Sequence, residues 1–115
     1  MMRDFTYIDD IVEGVVRVLD KAATPALGAS TQKPVRLFNI GNNSPEKLLY
    51  FIEIMENVLG KTTQKEFLPM QAGDVKATYA DTSALEKWVG FKPSTPLEEG
   101  IQRFVKWYKI YYQHQ

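Results

Sequence analysis

The chain has 115 residues, and its 14 basic and 14 acidic side chains cancel to a formal net charge of zero. That balance leaves no electrostatic footprint for nucleic acid or for an anionic membrane. It has no cysteine and one histidine, which excludes disulfides and thiolate metal sites and leaves any Ser-His-Asp triad dependent on the penultimate residue, His114.

A hydrophobic share of 44% and a charged share of 24% are those of a soluble globular domain. A single domain of this length can bury roughly 65% of its unfolded surface. No apolar run reaches the roughly 18 residues of a membrane span, and Arg3, Asp4, Asp9 and Asp10 interrupt any signal-peptide pattern. The absence of cysteine fits a cytoplasmic protein.

Phe5 to Ile8 reads as an aromatic-rich strand running straight into an amphipathic helix. The helix is expected to start near Asp9 or Asp10, where Asp10 and Glu13 make a capping-box pattern. Ile8, Ile11, Val12, Val15, Val18 and Leu19 share one face at helical spacing. Residues 24–34 (TPALGASTQKP) read as a loop. Val35 to Ile40 then reads as a short buried strand. Gly41, Asn42 and Asn43 supply turn chemistry. Ser44 as N-cap and Pro45 at the first helical position open a second helix. Leu48, Leu49, Phe51, Ile52, Met55, Val58 and Leu59 form its buried face, and Gly60 is its stop.

Glu66 to Leu68 is a further candidate strand, and 69–76 (PMQAGDVK) reads as a loop. Asp81 to Val89 suggests a third helix, capped by Asp81 or Thr82 and ended by Gly90. Thr95, Pro96 and Glu98 open a fourth with a second capping box. Along it Leu97, Ile101, Phe104, Val105 and Tyr108 repeat at helical spacing, while Trp107, Tyr111 and Tyr112 add aromatic bulk. The expected content is therefore about four helices with two or three short strands. Strands at Phe5 and Val35 have too few partners for an ordinary sheet, so they read as pieces of a larger one.

Four features could carry chemistry. Asp9 and Asp10 are adjacent carboxylates, but neighbouring positions at a helix start point apart, so capping and dipole compensation is their expected role. Arg3 is a lone arginine that reads as a solvated surface charge, although its planar fork of donors also suits phosphate. Gln71, Gly73 and Asp74 lie in a loop where an aspartate is either an ordinary turn residue or an acceptor for a sugar's vicinal hydroxyls. The Gly41–Ser44 turn could hold an anion on its free amides. No G-x-x-G-x-x-G fingerprint or P-loop is present, and neither Tyr7 nor Tyr79 has a lysine four residues on.

Four separated blocks carry a resemblance. They are RDFTYIDDIVEGVVR, FNIGNNSP followed by a leucine-rich helix, LPMQAGDVKATYADTSAL, and GFKPSTPLEEGIQRFVKWY. Together they resemble the extended short-chain dehydrogenase/reductase nucleotide-sugar epimerases, and the MQ-x-GDV-x-ATYAD-x-S block is most similar to UDP-glucuronate epimerases. The resemblance implies an α/β fold, the C-terminal substrate-binding part of a Rossmann-type protein without its main nucleotide-binding sheet. It implies one UDP-sugar-binding domain over 1–115, with the NAD-binding domain absent. Arg3 would bind the nucleotide diphosphate and Asp74 the uridine ribose. Gln71 stands where galactose epimerases carry an arginine.

The family's NAD site and tyrosine–lysine pair lie in the part this chain does not match, so the chain itself would hold no cofactor and no catalytic group. It would contribute the UDP-sugar pocket and be inactive alone, as a truncated gene product. Two alternatives stand beside this reading. One is a freestanding structural module that forms a homodimer through exposed strand edges. The other is part of a different nucleotide-sugar enzyme, a dehydratase or decarboxylase.

Overall fold

The computed structural model describes residues 1–24 and 34–113. His114 and nearly all of the expected 24–34 loop lie outside the described residues. The elements are β1 (Met2–Asp4), α1 (Ile8–Leu19), β2 (Pro45–Lys47), α2 (Leu48–Leu59), α3 (Ser83–Val89) and α4 (Leu97–Tyr111). β1 and β2 pair antiparallel, with Arg3 opposite Glu46. On its other side Met2 makes a parallel bridge with Ala77. There the Met2 amide donates to the Lys76 carbonyl at 2.9 Å, and the Thr78 amide donates to the Met2 carbonyl at 3.1 Å. β1 is thus flanked on both sides and holds three distant stretches of chain together.

The helices follow the apolar spacing, and their C-terminal stops are as expected. Gly60 and Gly90 both take φ of +67°, the left-handed conformation that closes a helix and that glycine adopts without a Cβ penalty. Helix starts differ more. α1 begins at Ile8 with Tyr7 as N-cap and no side-chain cap bond. The Asp10 carboxylate instead accepts from the Thr95 amide at 3.0 Å, joining the starts of α1 and α4. Glu13 pairs with Arg17 one turn on at 2.8 Å, so neither member of the expected capping box caps. α4 likewise starts after Pro96 with no side-chain cap bond.

Three strand expectations are corrected. The first strand lies at Met2–Asp4 rather than Phe5–Ile8, because its partners meet the backbone there. Phe5 instead stacks on Phe51 of α2, with ring centroids 4.6 Å apart. Pro45 does not open a helix: Pro45–Lys47 pairs with β1, and α2 starts at Leu48. Val35 to Ile40 forms no ladder, yet its exposure alternates residue by residue as a strand's would, and Leu37 is 93% exposed. It has a strand's pattern and no strand neighbour among the described residues. Glu66 to Leu68 is irregular and exposed for the same reason.

Two small clusters form the interior. Ile54, Ile101 and Val105 join α2 to α4, with Phe51, Met55 and Leu97 packed around them. The Tyr50 hydroxyl donates to the Glu98 carboxylate across the same helix pair. That bond holds Glu98 below the usual carboxylate range and raises Tyr50. The second cluster is built on Leu85, 2% exposed. It joins α3 to α1, where Lys21 donates to the Trp88 carbonyl at 2.8 Å and the Trp88 indole donates back to the Lys21 carbonyl at 3.2 Å.

Much apolar surface stays outside these clusters. Ile8, Val12, Val15 and Leu19 of α1 are 60%, 51%, 58% and 78% exposed, so most of its apolar face looks outward, with Ile11 and Val18 half-buried. The accessible surface is 8864 Å², where a compact monomer of this mass shows about 6400 Å². The radius of gyration is 17.9 Å, against about 13 Å for a compact domain of this length.

Glu56 carries a pH prediction. Its carboxylate accepts from Lys65 at 2.7 Å, from the Thr63 hydroxyl at 2.6 Å and from the Thr63 amide at 2.8 Å. These bonds lower its pKa from 4.5 to about 2. A carboxylate lowered on folding stabilises the fold above its unfolded pKa, and that stability is lost as pH falls through the folded value. Glu56→Gln is expected to flatten the fall of the urea midpoint between pH 4.5 and about 2. An unchanged acid limb would contradict this.

Candidate functional site: the Arg3–Asp74 pair

Arg3 sits at the centre of β1, where the ladder with β2 and the neighbouring Met2–Ala77 bridge hold its backbone. Its Nη1 donates to the Val75 carbonyl at 2.8 Å and to the Met2 carbonyl at 3.0 Å. Its Nη2 donates to Asp74 Oδ1 at 2.9 Å. These bonds engage three of the five guanidinium donors. The same Asp74 oxygen accepts from the Val75 amide at 3.1 Å. With side chains 22% and 38% exposed, the pair adds only about 0–1 kcal/mol to stability. Its consequence is orientation: a guanidinium and a carboxylate held side by side at the surface.

The turn that presents Asp74 is also read from its residues. The Asp74 amide donates to the Gln71 carbonyl at 3.1 Å, and Gly73 between them has φ of +89°. A closed turn with positive φ at its third residue requires glycine. Gln71 therefore joins the site through its carbonyl. Gly73→Ala is expected to cost about 1 kcal/mol and to loosen Asp74, measurable as a lower thermal midpoint. An unchanged midpoint would contradict the strained-turn argument.

The other candidates resolve differently. Asp9 lies 3.7 Å from Arg103 and Asp10 bonds the Thr95 amide, so the two carboxylates have different partners. The Asn43 and Ser44 amides of the 41–44 turn are already engaged within the chain. Asp4 takes them: its Oδ2 accepts from the Asn43 amide at 3.0 Å and its Oδ1 from the Ser44 amide at 3.2 Å. Oδ2 also accepts from the Ala80 amide at 3.1 Å. Sequence reasoning missed Asp4. A turn of the Gly-Asn-Asn-Ser kind advertises amides, but nothing local says which carboxylate fills them.

Two cavities lie nearby. One of about 330 Å³ is apolar, between Phe5, Tyr7, Phe51, Met55, Leu97 and Phe104. One of about 390 Å³ is more polar, with Asn42, Asn43, Ser44, Glu46 and Lys92 on its walls. Neither is lined by Arg3, Gln71 or Asp74, whose charged pair faces open surface. Among the described residues no helix is long and apolar enough to cross a membrane, and no cluster of acidic and histidine side chains could hold a metal.

No family model matches the chain. Individual relatives do. It is 46% identical over 121 residues to the protein CapI of Staphylococcus aureus, covering 98% of this chain and 36% of that protein. It is 43% identical over 124 residues to a probable UDP-glucuronate 4-epimerase of Rhizobium meliloti, covering 98% and 36%. Among solved structures it is similar to the UDP-glucuronic acid 4-epimerase of Bacillus cereus in complex with UDP-glucuronic acid and NAD. That match has a TM-score of 0.74 at 31% identity, over 96% of this chain and 33% of that one. The UDP-glucose 4-epimerase of Bifidobacterium longum, with NAD+ and UDP, shares the fold at a TM-score of 0.78 and 24% identity. The chain thus spans about a third of the length of the curated relatives it matches. Over nearly its whole length the chain is thus related to proteins described as UDP-glucuronate 4-epimerases, and its fold matches the C-terminal part of a UDP-sugar epimerase of the extended short-chain dehydrogenase/reductase type.

Proposed function

We propose that this chain supplies the nucleotide side of a UDP-sugar pocket and has no turnover of its own. The observation that carries the reading is the Arg3–Asp74 pair, held at 2.9 Å between segments 71 residues apart. A guanidinium with donors to spare binds a diphosphate by charge-assisted hydrogen bonds. A carboxylate beside it accepts from the ribose hydroxyls. The Gln71 turn holds that carboxylate in place. The relatives include proteins described as UDP-glucuronate 4-epimerases, which points to UDP-glucuronate as the sugar nucleotide.

The residues of this chain do not fit NAD. The sequence has no glycine fingerprint, and none of its six tyrosines has a lysine four positions on. No hydride step is therefore assigned to it. The excess surface supports the same view: the outward apolar face of α1 suits burial against the remainder of the relatives' fold. Purified chain given UDP-glucuronate and NAD is expected to form no epimer. Turnover that persists after rigorous purification would overturn the reading.

The exposed apolar face also favours self-association of the isolated chain, which we propose as a homodimer. Because both sides of β1 are occupied near Met2, the edges on offer are the outer side of β2 and of the 76–78 segment. Sedimentation velocity is expected to show a concentration-dependent dimer, and a monomer at all concentrations would contradict it.

A further inference from the structure

We infer that Asp4 is the positioning residue of the Arg3–Asp74 site, an internal anion whose carboxylate fixes where the pair sits; this rests on the UDP-pocket reading above. The carboxylate accepts three main-chain amides, from Asn43, Ser44 and Ala80. The first two belong to the turn before β2, and the third to the stretch that runs from Asp74 into α3. Asp4's own amide donates to the Thr78 hydroxyl at 3.4 Å. One side chain therefore ties β1, the 41–44 turn and the 77–80 segment to one point. Arg3 precedes it directly in sequence, and the 77–80 segment follows the Asp74 turn.

The surrounding packing is built to admit this carboxylate. A Cβ on Gly41 would lie 2.7 Å from the Ala80 Cβ and 3.0 Å from Asp4 Oδ2. Neither atom has room to give, since the first is anchored to backbone and the second is held by amides. Gly41 is the residue that lets the turn close on Asp4. An oriented cluster of amides is an anion seat, and here the anion comes from within the chain. The arrangement keeps a ligand phosphate off these amides and leaves Arg3 as the cation it meets.

The test is a double-mutant cycle on the full chain, with UDP as the probe, using Asp4→Asn, Arg3→Ala and the pair. Asparagine keeps the size and one acceptor oxygen but turns an N–H donor toward amides. Asp4→Asn is expected to weaken UDP binding by about tenfold, and to add almost nothing once Arg3 is alanine. Fully additive losses, or undiminished binding by Asp4→Asn, would overturn the inference. A second readout needs no ligand: the guanidinium nitrogen signals of Arg3 and the amide protection of Val75 should both change in Asp4→Asn while α2 and α4 stay protected. Unchanged Arg3 and Val75 signals would also overturn it. If wild-type chain binds no UDP, the pocket reading fails, and the ligand-free signals alone decide the role of Asp4.

Discussion

Arg3→Ala is expected to weaken UDP binding to this chain by roughly 10- to 100-fold, the usual cost of removing a hydrogen-bonding charged group opposite a charged ligand. The guanidinium is held by the Val75 and Met2 carbonyls and by Asp74, so it is oriented before any ligand arrives. Little entropy remains to be lost when it engages a phosphate. Arg3→Lys separates charge from geometry. Lysine keeps the charge but lacks the planar fork that can hold the two carbonyls, Asp74 and a phosphate together. It should fall between wild type and alanine. Fold stability should hardly change in either variant, because the pair is partly exposed. Equal affinities for wild type and Arg3→Ala, measured by calorimetry, would remove Arg3 from the site.

Leu85→Ala should lower unfolding free energy by about 2–5 kcal/mol, the range for truncating a buried leucine. Leu85 is 2% exposed and lies beside Gly14, Val18, Phe38 and Ile40. It thus lies where α3 meets α1 and the 36–40 segment, beside the Lys21–Trp88 bonds. Among the described residues only Ile54, Leu85, Ile101 and Val105 are buried hydrophobics, so one of them is a large share of the interior. Marginal stability is the rule even for full cores, and Leu85→Ala is expected to be substantially unfolded in mild urea. A shift below about 1 kcal/mol would show that the second cluster contributes little.

The helices of this fold were legible because their signals are local. Gly60 and Gly90 end α2 and α3 by their own conformational freedom, and the spacing of Ile101 and Val105 needs no knowledge of distant chain, whereas the α2 face was misplaced: Ile54, not on the expected face, is buried, and Leu48 and Leu49, expected to be buried, are exposed. The strands were not, because a strand exists only where a partner does. Pro45–Lys47 reads as a helix start until β1 is laid beside it, and Val35 to Ile40 reads as a strand although among the described residues no strand lies beside it. The α1 stripe was read as one apolar face, and its outward exposure was not legible, since periodicity reports a face and not what covers it. The candidate site divides the same way. Arg3 and Asp74 were singled out by residue type and resemblance, and their proximity by neither. Asp4 reaches an amide 76 residues away, a contact with no signal in any window of sequence.

Whether a UDP-binding half-pocket is already formed in this chain is tested most directly by calorimetric titration of the purified chain with UDP, beside Asp74→Ala. Saturable binding to the wild type that weakens in the variant is the predicted result. No binding up to millimolar UDP, or binding that ignores the loss of Asp74, would contradict it.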